Sequence, residues 1–335
     1  MRRPGSANTR SSAFATKADA LPTATLLLPE RTRFAGLRLP DAVARMLGRA
    51  DDVPAGGPGE RAQMLRHFEL LPRGWPVAAL TRDLDVGDAA QATWLRADPA
   101  WVRPDINGAR LMACGDMLRL TQQDADALLP ALRPLFGDVG FTLDAPTPAR
   151  WYLRLRPDAR LPAFVDPFDA LGADMFDHLP GTDDTGSEAR RWRALANEAQ
   201  VVLHNHPWNA RRAAAGKPPV NALWFWGAGV LPDHVASRHA RLQSDDPLAR
   251  ALAKAAGIAH IERTAIDLSG SSDLNDLRDV GPAETIDAWL APMCRAISNR
   301  TLQQLSLDFA DGTGFVLECR QHWRIWRKPI SDLGA

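Results

Sequence analysis

The chain predicts an α/β protein, a mixed sheet flanked by helices and closed by a C-terminal β-hairpin. Short apolar runs of strand length alternate with stretches whose apolar residues recur every three or four positions. No pattern repeats at a fixed period, which excludes a solenoid or a propeller. Asp311-Gly312 separates two alternating runs, the strongest two-residue hairpin signal in the chain.

Ala24–Leu28 reads as a short buried strand stopped by Pro29. Residues 40–49 and 59–71 carry apolar side chains at helical spacing, with a glycine-rich loop at 55–59 between them. Trp75–Leu80 reads as a strand and the acidic stretch after it as a loop and helix start. Thr93–Ala97 is the next strand; it enters a turn-rich stretch holding Asp98-Pro99, Arg103-Pro104-Asp105 and Asn107-Gly108, and Ala109–Ala113 resumes a strand. Thr121 is an N-cap, and the acids after it suit the first turns of a helix running to about 136.

Residues 140–146 and 149–157 read as an antiparallel pair. Trp151, Leu153 and Leu155 alternate there with Tyr152, Arg154 and Arg156, so two arginines share a face that reads as solvated. Over 187–206 one apolar stripe predicts an amphipathic helix, ended by Pro207 because the residue before a proline avoids the helical region. Asn209–Ala215 is a short helix closed by Gly216, and Val220–Trp226 reads as a central strand. Asp246-Pro247 opens a helix that Gly257 ends; Ile258–Ile266 follows as a strand and 282–298 as a helix with proline in its first turn.

Composition bounds the function. Forty basic residues balance forty acidic ones, so no global field holds a nucleic-acid backbone or an anionic membrane, and neither partner is expected. No run nears the ~18 apolar residues of a membrane-spanning helix. Cys114, Cys294 and Cys319 are too few and too scattered for a disulfide framework and read as thiols of a cytoplasmic protein. Most of the eleven tryptophans sit in apolar segments and read as core. All basic residues but Lys17, Lys217, Lys254 and Lys328 are arginines, whose planar fork suits phosphate or carboxylate. Residues 1–20 are basic, rich in Ser and Ala, and predict a frayed tail. Residues 21–335 read as one α/β domain, with two lobes of about 21–160 and 161–335 as the alternative.

Two stretches could carry chemistry. Arg96, Asp98, Arg103, Asp105 and Asn107 fall at a predicted strand end, where α/β folds seat ligands; arginine would clamp an anion and the carboxylates orient it or exchange a proton. The competing reading is an Asp-rich turn whose arginines neutralise nearby acids. In His204-Asn205-His206-Pro207 the histidines point about 200° apart if the helix continues, which denies them one shared ion. There His206 is either a core histidine or, with His204 and Asn205, part of a loop that contacts a ligand. The G-x-S-x-G, Walker, H-E-x-x-H and G-x-G-x-x-G motifs are missing; Gly227-Ala228-Gly229 gives a glycine turn at a strand's carboxyl end, a weak phosphate-loop signal.

The segment Lys217–Gly229, with its N-A-L-W-F-W-G-A-G core, resembles the N-A-I-W-L-W-G-x-G strand and turn of archaeal-type cofactor-independent phosphoglycerate mutases, members of the alkaline phosphatase superfamily. The helix at 246–256 with Gly257-Ile258 is similar to the helix and glycine that follow in that family. Over residues 22–330, R-A-D-P-x-x-x-R-P-D, H-N-H-P and W-F-W-G together resemble a bacterial group described as phosphoglycerate mutase-like or as regulatory proteins of the Rpf E type. The resemblance implies two metals held by aspartates and histidines around a phosphorylated serine. The chain departs from it. Pro29-Glu30-Arg31-Thr32 follows the first strand where the family's first aspartate is expected, Asp308, Asp311 and His322 do not reproduce the D-G-x-x-H and D-H spacings, and Asp233-His234 stands alone.

The resulting expectation is a phosphoglycerate mutase-like protein without the dinuclear site and without a cofactor. It would hold a phosphorylated or carboxylated small molecule near Arg96, Asp98, Arg103, Asp105, Asn107, His204, Asn205, His206 and Asn221, with Asp98, His204 and His206 as candidate acids or bases. The alternatives are an active mutase or phosphohydrolase with a rearranged site, and a regulator that docks another protein through Trp323 and Trp326.

Overall fold

The structure, a computed structural model, describes residues 21–334 except 55, 107, 157–158, 179, 181–185 and 264–265. The tail at 1–20 and Asn107 therefore lie outside the described residues.

The strands in chain order are β1 (Thr23–Leu28), β2 (Asp51–Val53), β3 (Phe68–Leu71), β4 (Thr93–Asp105), β5 (Gly108–Cys114), β6 (Thr142–Asp144) and β7 (Tyr152–Leu155). They continue with β8 (Ala222–Gly229), β9 (His234–Ser237), β10 (Arg241–Gln243), β11 (Ala259–Ile261), β12 (Ser272–Asp276), β13 (Gln304–Phe309) and β14 (Gly314–Glu318). The helices are α1 (Asp41–Arg49), α2 (Glu60–Leu65), α3 (Val77–Asp85), α4 (Gln122–Gly137), α5 (Pro167–Ala170), α6 (Ser187–His204), α7 (Trp208–Ala214), α8 (Pro247–Ala256), α9 (Pro282–Glu284) and α10 (Ala291–Ser298).

The first sheet has the order β11-β10-β12-β1-β13-β14-β2. Its first five strands run parallel; β14 pairs antiparallel with β13, and β2 pairs antiparallel with β14 and so runs with the first five. Five consecutive buried residues in β1 mark a strand covered on both faces, the usual state of a parallel sheet. Leu26, Leu28, Leu305, Leu307 and Phe309 pack there with Phe34 and with Leu47 of α1 and Ile297 of α10. The second sheet is antiparallel and centred on β4, which pairs with β5, β7 and β8, while β6 extends it beyond β7. Its core sets Trp192 of α6 against Phe141, stacked at 5.5 Å, and edge-on to Phe164 and Phe225. The first sheet is thus built from the two ends of the chain and the second from residues 93–229; a boundary near 160 would cut through the second. The mixed α/β class is observed.

Several elements differ from their sequence reading. Val77–Leu80 lies in α3, not in a strand, because an apolar run this short reads alike in a strand and in a helix buried on every side. Residues 59–71 divide into α2 and β3, whose alternate residues are buried as β3 pairs with β9. The turn-rich stretch is one strand, β4, which passes through Pro99 and Pro104; the register shifts at Trp94/Arg96 and at Trp101/Val102. Among the described residues β8 pairs with β4 alone, so β4 is the central strand. Of the strand expected over 258–266, Ala259–Ile261 is observed, and residues 264–265 lie outside the described residues. Residues 282–298 are helical throughout, but Thr285–Leu290 widens into a π turn just ahead of Pro292, which has no N–H for the Ala288 carbonyl.

Candidate functional site

Parallel strands aim their carboxyl ends at one edge, the usual place for a ligand in an α/β sheet. Here that edge gathers Glu30 after β1, Ser244 to Asp246 after β10, Asp276 to Arg278 at the end of β12, and Asp311 after β13. β12 ends at Asp276, and Arg278 lies two positions on in the turn that follows, close enough to fold back onto that carboxylate. Arg278 donates from Nε to Oδ1 of Asp276 at 2.8 Å and from Nη2 to Oδ2 at 2.7 Å, while Ser244 Oγ donates to Oδ2 at 2.8 Å. The same guanidinium reaches Glu60 at 3.0 Å and lies 3.7 Å from Asp246. Burial acts to raise the Asp276 pKa, but the bonds from Arg278 and Ser244 outweigh it and the net shift is downward. Asp246, which caps α8 through the Ala249 N–H, is shifted upward by its burial.

These carboxylates are already engaged. Asp311 accepts from the Arg31 N–H and from the N–H and hydroxyl of Thr313, and Glu30 accepts from the Thr32 hydroxyl. Among the described residues no three His, Cys, Asp or Glu side chains come together as a metal would require.

Beside this edge lies a cavity of about 930 Å³, walled by Glu30, Arg33, Glu60, Trp75, Asp166 and Trp226. Gly227 closes it at a φ of +65°, where a Cβ would sit 2.8 Å from Cβ of Val77, so the turn after Trp226 requires glycine. Asp166 has its pKa raised to about 6, chiefly by burial, with Asp169 and Glu60 adding repulsion against the Phe168 N–H. The cavity is mainly acidic, with Glu30, Glu60, Asp166 and Asp169 against Arg33 and Arg61.

A second cavity, of about 760 Å³ along β3 and β9, has the opposite sign. Arg61, Arg66, Arg73 and Arg238 line it together with His67, against the single carboxylate Glu69. Arg61 borders both cavities, 6.0 Å above the Trp75 ring. Arg66 is held by Asp308 through two bonds of 3.0 and 2.6 Å, whereas Arg73 and Arg238 are exposed.

The residues singled out from the sequence are placed otherwise. Arg96 and Asp98 meet each other, at 2.8 and 2.7 Å, both buried, and Asp98 also accepts from the Trp226 indole at 2.7 Å and the Trp151 N–H at 3.3 Å. Burial is the largest influence on Asp98 and pushes its pKa up, against the pull of Arg96. Asn221 clamps the backbone of Val102, accepting its N–H at 2.8 Å and donating to its carbonyl at 2.7 Å. Arg103 is exposed near the end of β4, and Asp105 pairs with Arg110. His204 ends α6 on the surface, Asn205 donates to the Val201 carbonyl, and His206 Nδ1 accepts from the Trp208 N–H. Among the described residues no hydrogen bond or ion pair joins Arg96, Asp98, Arg103 or Asp105 to His204, Asn205 or His206. The Asp276–Arg278 pair and the arginine cavity lie outside the residues singled out from the sequence; an Asp-x-Arg at a strand end is the local signal for the first, and the second has none.

No protein-family model matches the sequence. Over 207 residues the chain is 30% identical to a protein of Geobacter sulfurreducens described as a probable 2,3-bisphosphoglycerate-independent phosphoglycerate mutase, covering 59% of this chain and 50% of that one. Over 66 residues it is 38% identical to the 2,3-bisphosphoglycerate-independent phosphoglycerate mutase of Methanosarcina barkeri, 20% of this chain and 16% of the relative. The chain thus spans half the length of the first relative and less of the second. Among solved structures, the cofactor-independent phosphoglycerate mutase from Thermoplasma acidophilum aligns with a TM-score of 0.44 at 17% identity, over 89% of each chain. The PH0037 protein from Pyrococcus horikoshii aligns with a TM-score of 0.43 at 12% identity, over 89% of this chain and 88% of that one. The chain is an α/β protein with a mostly parallel sheet and polar cavities at its rim. By sequence it is a distant homologue of the cofactor-independent phosphoglycerate mutases.

Proposed function

We propose that the chain is a phosphoglycerate mutase-like protein that binds a small phosphorylated or carboxylated molecule without a metal pair and acts in regulation rather than turnover. The observation that carries this reading is the cavity in which four arginines face one carboxylate. Arg61, Arg73 and Arg238 supply planar donors to an anion, while Arg66 stays committed to Asp308. Arg278 supports the metal-free part, since its guanidinium already neutralises Asp276 at the edge where a cation would sit. This reading moves the anion away from Arg96, Asp98, Arg103 and His204.

Calorimetric titration of 3-phosphoglycerate into chelator-treated protein tests it. Binding is expected to weaken with added salt and to fall at least about tenfold in an Arg73→Ala, Arg238→Ala double variant. No binding, or binding unchanged in the variant, overturns it.

A second reading, a protein-docking regulator of the Rpf E type, is favoured by Trp323, Ile325 and Trp326, which are 73%, 78% and 74% exposed in one short segment. Purification of the full chain from its native cells would retain a partner that Trp323→Ser and Trp326→Ser release.

A further inference from the structure

Between the start of β12 and the end of β13, four side chains from separate parts of the chain form a hydrogen-bonded series. His67 Nε2 lies 2.8 Å from Asp308 Oδ2, His67 Nδ1 lies 3.0 Å from His239 Nε2, and His239 Nδ1 lies 3.4 Å from Ser272 Oγ. Both imidazoles are buried, at 4% and 6% exposure, while Ser272 is half-buried at the start of β12. Ser272, His239 and His67 all line a groove of about 410 Å³ whose floor is the polar face of β1 and β13, Thr25, Gln304 and Ser306, with Arg238 on its wall.

The tautomers follow from the partners. Asp308 is held ionised, because His67 and Arg66 together outweigh the burial that acts to raise its pKa. A carboxylate only accepts, so His67 Nε2 carries a proton. With His67 neutral, its Nδ1 accepts from His239 Nε2–H, which leaves the His239 Nδ1 lone pair facing the Ser272 hydroxyl.

The geometry points to a second site in this groove, where Ser272 is a nucleophile toward a small carboxylic ester bearing an anionic group, His239 is its general base, and His67 and Asp308 position and charge-balance that base. It does not rest on the reading above. Ser272 Oγ bonds to the acyl carbon as its proton passes to His239 Nδ1. The His239 Nε2 proton moves to His67 Nδ1. The ester C–O bond then breaks, the alkoxide takes the proton from His239 Nδ1, and the Nε2 proton returns. Water repeats the sequence on the acyl-serine, giving the free acid and restoring the serine.

The second imidazole has a reason. Burial disfavours a charge on His239, and handing a proton on moves it to His67, 2.8 Å from the Asp308 carboxylate. Arg238 is the wall residue that would select the anionic group.

The test treats the full chain with a fluorophosphonate and locates the adduct by peptide mass spectrometry. One adduct on Ser272 is expected, absent in Ser272→Ala and formed about 100-fold more slowly in His239→Gln. In Asp308→Asn the labelling should slow, and Asp308→Glu should restore part of the rate, a rescue that loss of packing alone would not give. Circular dichroism confirms that each variant is folded. No adduct on Ser272 of the folded wild-type chain, or an adduct that forms as fast in His239→Gln, overturns the proposal.

Discussion

Arg278 holds Asp276 through two parallel hydrogen bonds at the end of β12, and both side chains are almost sealed from solvent, at 10% and 3% exposure. A buried pair of this kind costs most when one partner is removed, because the other charge stays behind. Arg278→Met is expected to destabilise the protein by about 3–5 kcal/mol, read from the urea midpoint, and a loss below about 1 kcal/mol would contradict the role given to the pair.

Asn221 and His204 are both candidate ligand contacts in the sequence, and the structure gives them different surroundings, one clamped to the backbone and one exposed. Asn221→Ala leaves the Val102 N–H and carbonyl without partners and should cost about 1–3 kcal/mol. His204→Ala, at an exposed helix end, should change stability by no more than about 0.5 kcal/mol. Denaturant melts of the two variants side by side give the comparison.

Gly227→Ala combines a left-handed backbone cost of about 1–2 kcal/mol with a clash of about 1–3 kcal/mol against Val77. Thermal unfolding of the variant should show a clearly lowered midpoint, with the helix content of the native state retained.

Acid should weaken the fold through His239. Its folded pKa of about 3 lies below the ordinary 6.5, so between those values the unfolded chain binds the extra proton and stability falls as pH drops. One proton corresponds to roughly 1 kcal/mol per pH unit. Asp166 acts the other way: its folded pKa of about 6 lies above the ordinary 3.8, so its contribution grows on acidification through that window. Urea midpoints at pH 7 and pH 5 should therefore differ less in His239→Gln than in the wild type.

Local signals in the sequence reported the local elements well. The Thr121–Asp124 capping box, the glycine that ends α8 and the turn at Asp311-Gly312 all depend on residues within a few positions of one another. The sites depend on contacts across the whole chain. Asp308 reaches His67 over 241 residues, and β1 reads as one strand although its neighbours are β12 and β13, about 250 and 280 residues on. The R-A-D-P motif shows the limit: its charges look like a ligand clamp in sequence, yet Arg96 and Asp98 neutralise each other beneath Trp226. Arg61, Arg73 and Arg238 carry no motif, and only the pairing of β3 with β9 brings their cavity together.

We propose that this distant homologue of the mutases holds an anion with arginines and without a metal pair. The most direct test is a phosphoglycerate mutase assay on the purified chain, run after chelation and again with added Mn²⁺, Zn²⁺ or Mg²⁺. The account predicts no interconversion of 2- and 3-phosphoglycerate under any of these conditions. Turnover that appears with metal and disappears with chelator would contradict it.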